Sequence, residues 1–288
     1  MARTQKPQGA VTRGTTAPNR LRRVDRWIAA TQTGPLRAVE RPLAVDLGYG
    51  ASPVTTVELY RRLRPVSPGL EVVGIEIEPE RVAAGLAYLE AAGPLEGLSF
   101  RRGGFELPVD RPPVLVRAFN VLRQYGEDEA WRAWDGLCSR IDPGGVLVEG
   151  TCDEIGRRAV WVTLGAARAA HSAGARAAAG RCEPRTITFA ARLGSLGQPS
   201  DLAERLPKTL IHRNVPGERV HGLLADFDRC WAVAAPQSAF GPRARWIEAV
   251  SLLARTYPVL TRPPYGGRSR WRLGEVTLAW DAVDPRRP

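Results

Sequence analysis

Lysine is almost missing from this chain of 288 residues: Lys6 and Lys208 stand against an abundance of arginine. With alanine, glycine and proline also plentiful, this reads as codon usage in a GC-rich genome, so arginine preference alone says little about an anionic partner. Three histidines and four cysteines leave little for metal chemistry. Cys138, Cys152, Cys182 and Cys230 lie far apart without zinc-type pairing, so neither a metal site nor a disulfide framework is expected, and the thiols read as buried and reduced. No run of about 18 apolar residues occurs, which excludes an ordinary transmembrane helix and gives no reason to expect a membrane partner. The polar start of the chain lacks the apolar core of a secretory signal, and the expected location is cytoplasmic.

What is present is an ordinary globular composition, 44% hydrophobic and 25% charged, with a formal charge of +11. That charge sits mainly at the ends. Met1 to Arg26 carries seven basic residues against Asp25, and Arg262 onward carries six arginines against Glu275, Asp281 and Asp284, leaving the body close to neutral. Basic ends can hold phosphates through counterion release, so an RNA contact through them is a possible partner interaction; a solvated tail has the same composition. Residues 1–20 have too little apolar content to offset the entropy of ordering and read as a disordered basic tail.

From residue 21 the chain is periodic. Leu21, Val24 and Ile28 fit one face of a short helix. Apolar runs at Leu43 to Leu47, Val72 to Ile77, Leu98 to Arg101, Val114 to Phe119 and Val146 to Glu149 then alternate with helical stretches, two of them opened by Pro53 and Pro79, whose missing N–H costs nothing at a first turn. Such alternation builds an α/β, doubly wound, parallel sheet. Beyond Thr151, period-two patterns at Val160 to Leu164 and Ile187 to Leu193 give two more strands, separated by an Ala-rich stretch, 165–180, that reads as helix or loop. Helices are expected over Asp201 to Ile211, Glu218 to Ala234 and Pro242 to Thr256, with a final strand at Val276 to Trp280. The expected organisation is thus the tail, a catalytic domain over 21–196, and a mainly helical extension over 197–288 whose last strand packs on the same domain.

The chemistry-bearing segment is LAVDLGYGASP. Asp46 ends a buried strand, and Gly48 and Gly50 form the turn into a helix, where backbone can approach a ligand closely. Pro53 takes the place of the third glycine of a dinucleotide fingerprint and argues against a nicotinamide-dependent oxidoreductase. About thirty residues on, Glu76 closes the second strand and can accept hydrogen bonds from both hydroxyls of a ribose.

This order, Asp-x-Gly-x-Gly after strand one, an acid after strand two and Pro-Gly-Gly before strand five, resembles the class I S-adenosylmethionine-dependent methyltransferases over roughly Pro42 to Asp153. The resemblance implies a mostly parallel, seven-stranded Rossmann-like sheet with a reversed last strand, S-adenosyl-L-methionine as cofactor, and an unidentified methyl acceptor, a small molecule ahead of RNA. It implies that Asp46, Gly48, Tyr49 and Gly50 surround the methionine end and that Glu76, with Ile77 beside it, holds the ribose. The usual acid after strand three is absent; Phe105 is the residue placed to pack on adenine. Strand four ends in VRAFNVLRQY, which does not support methylation of a base amino group. The substrate side, beyond strands four and five, offers Arg117, Asn120, Glu149 and Asp153 as candidates, with Tyr125, Thr151 and Glu154 nearby, and Asn120 first as a pocket wall. Whether a base is used is open, since displacement at an activated carbon rests largely on positioning; His212 and His221 are the spare titratable groups. A nucleic-acid-binding protein on an inactive scaffold of this kind is the alternative, with Trp271 between Arg270 and Arg272 as a candidate stacking site.

Overall fold

The computed structural model describes residues 7–12, 16–93, 95–166 and 182–285. The segment from residue 21 opens with two short helices, α1 (Arg22–Thr31) and α2 (Thr33–Arg37). Then β1 (Leu43–Leu47), α3 (Val54–Leu63), β2 (Glu71–Glu76), α4 (Pro79–Ala92), β3 (Leu98–Arg102), β4 (Leu115–Phe119), α5 (Glu127–Cys138) and β5 (Val146–Cys152) follow in the expected alternation. Pro79 sits in the first turn of α4, and the Glu129 carboxylate accepts the Gly126 N–H at 2.7 Å at the start of α5, both of which fix helix starts locally.

The sheet runs in the order β3-β2-β1-β4-β5 and continues through β6 (Arg158–Ala166), β7 (Cys182–Ala191) and β8 (Glu275–Ala279). β1 to β5 pair in parallel, while β5–β6, β6–β7 and β7–β8 are all antiparallel. The α/β expectation holds, but the seven-stranded, mostly parallel sheet is corrected to eight strands of mixed direction. The physical reason is the turn after Cys152: the Asp153 carboxylate accepts the backbone N–H groups of Ile155, Arg157 and Arg158, folding the chain straight back as a hairpin where a crossover helix would have been needed to keep it parallel.

Between β7 and β8 lie α6 (Lys208–Ile211), α7 (Arg219–Val233), α8 (Pro242–Leu253) and α9 (Arg268–Trp271). The single helix expected over Asp201 to Ile211 is instead a 3-10 segment, Pro199–Arg205, and the short α6. Pro207 separates them, since it cannot donate into a continuing helix. Beyond the far side of β8, Val259 bridges Leu278, and residues 258–260 exchange backbone hydrogen bonds with Thr277 and Ala279. Most of the Ala-rich stretch, from residue 167 on, lies outside the described residues, as do residues 1–6 and 13–15 of the basic tail.

Alternation along each strand splits the core into two layers. Val45, Val116, Leu147, Val160 and Ile187 face α5 and α7; Ala44, Leu115, Val148 and Trp161 face α1 and α3. Cys138 of α5 and Cys182 of β7 form a disulfide, which corrects the expectation of reduced thiols for that pair; Cys152 and Cys230 are free. Among the described residues, no helix is long and apolar enough to cross a membrane.

Candidate functional site

The cleft lies at the carboxyl ends of β1, β2 and β4, where the sheet order reverses between β1 and β4, the position at which open α/β sheets generally take ligands. Gly48 and Gly50 both adopt positive φ, 68° and 84°, conformations that side chains rarely tolerate. The turn is held from the next strand: Glu76 Oε2 accepts the N–H of Gly50 at 2.9 Å, while Oε1 accepts those of Ile77 at 2.9 Å and Glu78 at 3.4 Å. Glu76 is buried, and Arg81 Nη1 lies 3.5 Å from Oε2. Tyr49 reaches across to donate its hydroxyl to the carbonyl of Arg81 at 3.0 Å. Burial, with the nearby Glu76 and Asp46 carboxylates, raises the Tyr49 hydroxyl above the ordinary tyrosine range.

Asp46 is oriented by the protein itself. Arg117, fully buried on β4, donates Nε to Asp46 Oδ1 at 3.0 Å and Nη2 to Oδ2 at 2.7 Å, and Thr56 adds its hydroxyl to Oδ2 at 2.7 Å. The remaining guanidinium nitrogen, Nη1, donates to Asp25 of α1, and Nη2 also reaches the Thr55 carbonyl at 3.0 Å. Asp25, itself fully buried, is further held by Arg62 at 2.7 Å. Two cations thus meet two carboxylates beneath the glycine turn. Burial pushes the Asp25 carboxyl up, with Arg117 and Arg62 opposing it. Burial alone would lower the Arg117 guanidinium, but Asp25 and Asp46 hold it above its ordinary value.

The other substrate-side candidates separate. Asn120, at the tip of β4 with φ 60°, lines the cleft with Gly48 and Gly50, and its amide bridges to β5 by accepting the Cys152 N–H at 3.0 Å and donating to Cys152 Sγ at 3.3 Å. Arg117 faces Asp46 and does not reach the cleft surface. Glu149 lies on the opposite face of the sheet, fully buried, accepting Trp134 Nε1 at 3.2 Å; burial pushes its carboxyl up to about 8. Asp153 builds the β5–β6 turn, and the Thr151 hydroxyl donates to the carbonyl of Arg205. His212 and His221 contact Lys208 and Asn214 on the helical extension. Trp271 is buried, and Arg270 beside it pairs with Glu275 at 3.2 Å, so that Arg268 and Arg272 remain exposed but without the exposed aromatic that stacking on a strand would require.

Residues 7–12 and 16–20, within the stretch that composition reads as a tail, lie across this cleft. Phe105 donates its backbone N–H to the Gln8 carbonyl at 2.9 Å, and Gln8 donates its own to Glu106 at 2.8 Å. The Ala10 N–H reaches the Tyr125 hydroxyl at 2.5 Å, and Gln124 donates to the Ala10 carbonyl at 3.0 Å. Arg81 donates to both the hydroxyl and the carbonyl of Thr12 at 3.0 Å, and Thr16 donates to the Tyr49 carbonyl at 3.0 Å. The volume left beside Asp46, Gly48, Gly50 and Asn120 is about 50 Å³. An adenosine-bearing cofactor needs roughly 300 Å³ or more. The donor set therefore fits such a group in kind, with a buried carboxylate and a glycine turn at adjacent strand tips, but the volume beside it is narrowed by Thr12, Thr16 and Arg20 of the N-terminal segment. Sequence reasoning missed the Asp25–Arg117–Asp46 network and the covering segment. An arginine in the middle of an otherwise apolar strand was the available signal for the first.

No protein-family model and no curated protein matches this chain. Among solved structures it is similar to magnesium protoporphyrin IX methyltransferase from Synechocystis PCC 6803 with bound SAH, at 19% identity over 46% of this chain and 54% of that one, with a TM-score of 0.35. It is also similar to the cyclopropane synthase MmaA2 from Mycobacterium tuberculosis, at 17% identity over 42% and 41% of the two chains and a TM-score of 0.32. The mitomycin 7-O-methyltransferase MmcR matches at 18% identity over 42% and 35%, again with a TM-score of 0.32. The chain spans about a third to about half of the length of these proteins.

Proposed function

We propose that this chain is an S-adenosylmethionine-dependent methyltransferase acting on a small molecule. The observation that carries the reading is the pairing of two strand tips: a turn of left-handed glycines after β1, with Glu76 at the end of β2 fixing the Gly50 amide. That arrangement presents backbone and one carboxylate to a nucleoside-like group without the pyrophosphate cradle of a dinucleotide site. In this reading Glu76 takes the ribose hydroxyls, with Ile77 beside it and Phe105 against the base. Gly48, Tyr49 and Gly50 follow the methionine end, and Asp46, fixed by Arg117, sets the potential behind them. When bound, the cofactor supplies a methyl carbon already activated by its sulfonium. The chain's part is to position the acceptor and exclude water, with Asn120 and Tyr125 at the substrate side. The near-neutral body favours a small acceptor over RNA. The cytoplasmic location expected from the sequence belongs to this reading, and the Cys138–Cys182 bond weighs against it, since disulfides persist mainly in oxidising compartments.

Thermal denaturation with S-adenosylhomocysteine or NAD tests the reading. At a hundredfold excess over its Kd, the homocysteine compound stabilises the chain by about 2.7 kcal/mol, a rise of several degrees, and NAD leaves the transition in place. Stabilisation by NAD alone overturns it. A second reading, an RNA-binding protein on an inactive scaffold, is favoured by the filled cleft and by the exposed Arg22 and Arg26 of α1. It requires an RNA affinity whose salt dependence weakens when those arginines are replaced.

A further inference from the structure

The N-terminal segment occupies the positions at which the sequence places the cofactor. A methyl group built on Gly9 lies 3.1 Å from the Tyr125 hydroxyl, 3.5 Å from the Phe105 ring and 3.6 Å from Ile77. One built on Gly104 lies 1.9 Å from the Gln8 carbonyl oxygen, so only glycine at 104 admits the segment. At the other end, Thr16 Oγ1 is 2.5 Å from a methyl group built on Gly50, which puts the threonine directly over the turn. Arg81 links the two, touching Thr12 at 3.0 Å and Glu76 at 3.5 Å.

How the segment is held matters as much as where it lies. Gln8, Gly9, Ala10 and Val11 are exposed, and none of them enters the apolar core. Attachment is by hydrogen bonds, most of them to the segment's main chain, each worth about 0.5–1.5 kcal/mol net and readily exchanged for water. A segment fixed for structural reasons alone would be expected to bury side chains. By contrast, Leu21, Val24, Trp27 and Ile28, just downstream, are buried, so α1 stays anchored when the preceding residues leave.

We propose that residues 7–12 with Thr16 form a tethered strap that competes with the adenosine-bearing cofactor for the cleft, so that binding requires the strap to withdraw. This rests on the methyltransferase reading above. A strap open in about one molecule in ten lowers the apparent cofactor affinity about tenfold.

Calorimetric titration of the full-length chain with S-adenosylhomocysteine tests this, comparing the parent with a Gly9→Val/Thr16→Val variant. Gly9 has φ 125° and lies against Tyr125, Phe105 and Ile77, so valine there crowds the docked strap and loosens it while every residue of the cleft wall is left unreplaced. The variant is expected to bind about tenfold more tightly, and hydrogen exchange at residues 7–12 of the parent is expected to accelerate on saturation. Affinities within about twofold, or amides at 7–12 that stay protected in the saturated parent, overturn the strap and leave the cofactor assignment standing. A variant that melts with the parent and shows no binding at millimolar ligand overturns the cofactor assignment, and the competition with it.

Discussion

The two faces of the sheet bury acids by opposite means. On the α1–α3 face, Asp25 and Asp46 are countered by Arg62 and Arg117 in a network of direct hydrogen bonds. On the α5–α7 face, Glu149 has a single indole N–H from Trp134, and its Oε1 has no hydrogen-bond partner among the described residues. Charge is balanced by charge under the cleft and by a proton on the other side, where burial pushes Glu149 up to about 8. Burying an isolated carboxylate is costly enough that a group without a cation takes up a proton instead. Fixed charge is thus kept beneath the glycine turn, where cations are at hand, and avoided on the face where Glu149 meets only an indole.

The balance of charge beneath the cleft depends most on Arg117. Replacing Arg117 with Met leaves the buried Asp46 without a cation and Asp25 with Arg62 as its remaining one, and is expected to cost about 3–5 kcal/mol, read by urea denaturation. Because Asp25 is already pushed up by burial with Arg117 opposing it, the loss should shrink as pH falls and Asp25 takes a proton. A loss independent of pH would mean that packing, not charge, is what Arg117 provides.

Glu149→Gln tests the other face with the opposite sign. The carboxyl is near 4.5 in an unfolded chain and about 8 in the fold, so its contribution is fully present below pH 4.5 and is lost as pH rises through 8. The glutamine variant should match the parent near pH 4 and exceed it at pH 9 by on the order of 4 kcal/mol. Parallel melting curves for the two proteins from pH 4 to 9 would remove the buried proton. Smaller again is the cross-link on the same face. Cys138 and Cys182 are separated by 44 positions, and reducing them is expected to cost about 2–4 kcal/mol through the entropy of the unfolded chain. Melting with and without reductant measures it, and a Cys138→Ser variant that melts with the parent would show the bond to be dispensable.

How much of this the sequence shows follows from distance along the chain. The five strands that begin between Leu43 and Val146, the helix start at Pro79 and the glycine turn are local features that appear where periodicity and turn chemistry place them, while Pro53 caps α3 from just outside and β5 runs on to Cys152. The Arg117 contacts to Asp46 and Asp25 span 71 and 92 positions, and no periodicity relates such residues, so Arg117 and Glu149 read equally as substrate-side groups. The strap is silent for another reason. Main-chain hydrogen bonds leave no side-chain signature, and a Gln-Gly-Ala stretch has the composition of a free tail whether it is bound or not. The seventh and eighth strands show in their alternation, but the direction of β6 was decided by a hairpin turn around Asp153, which the family resemblance did not anticipate.

The residues that pair beyond β8 bear on a risk common to open sheets. An unpaired edge strand offers a row of amides and carbonyls to any other chain, and proteins blunt such edges by covering or charging them. Here residues 258–260 already engage Thr277 and Ala279, so the last strand of the sheet is closed to templating by a second copy. The opposite margin, β3, pairs Arg101 with Asp110 at 2.7 Å and ends in the exposed Arg102, a charge that an identical strand laid alongside would have to meet. Growth of the sheet from one molecule into the next is thereby hindered at both margins, which keeps a long, mixed sheet finite during folding and at high concentration.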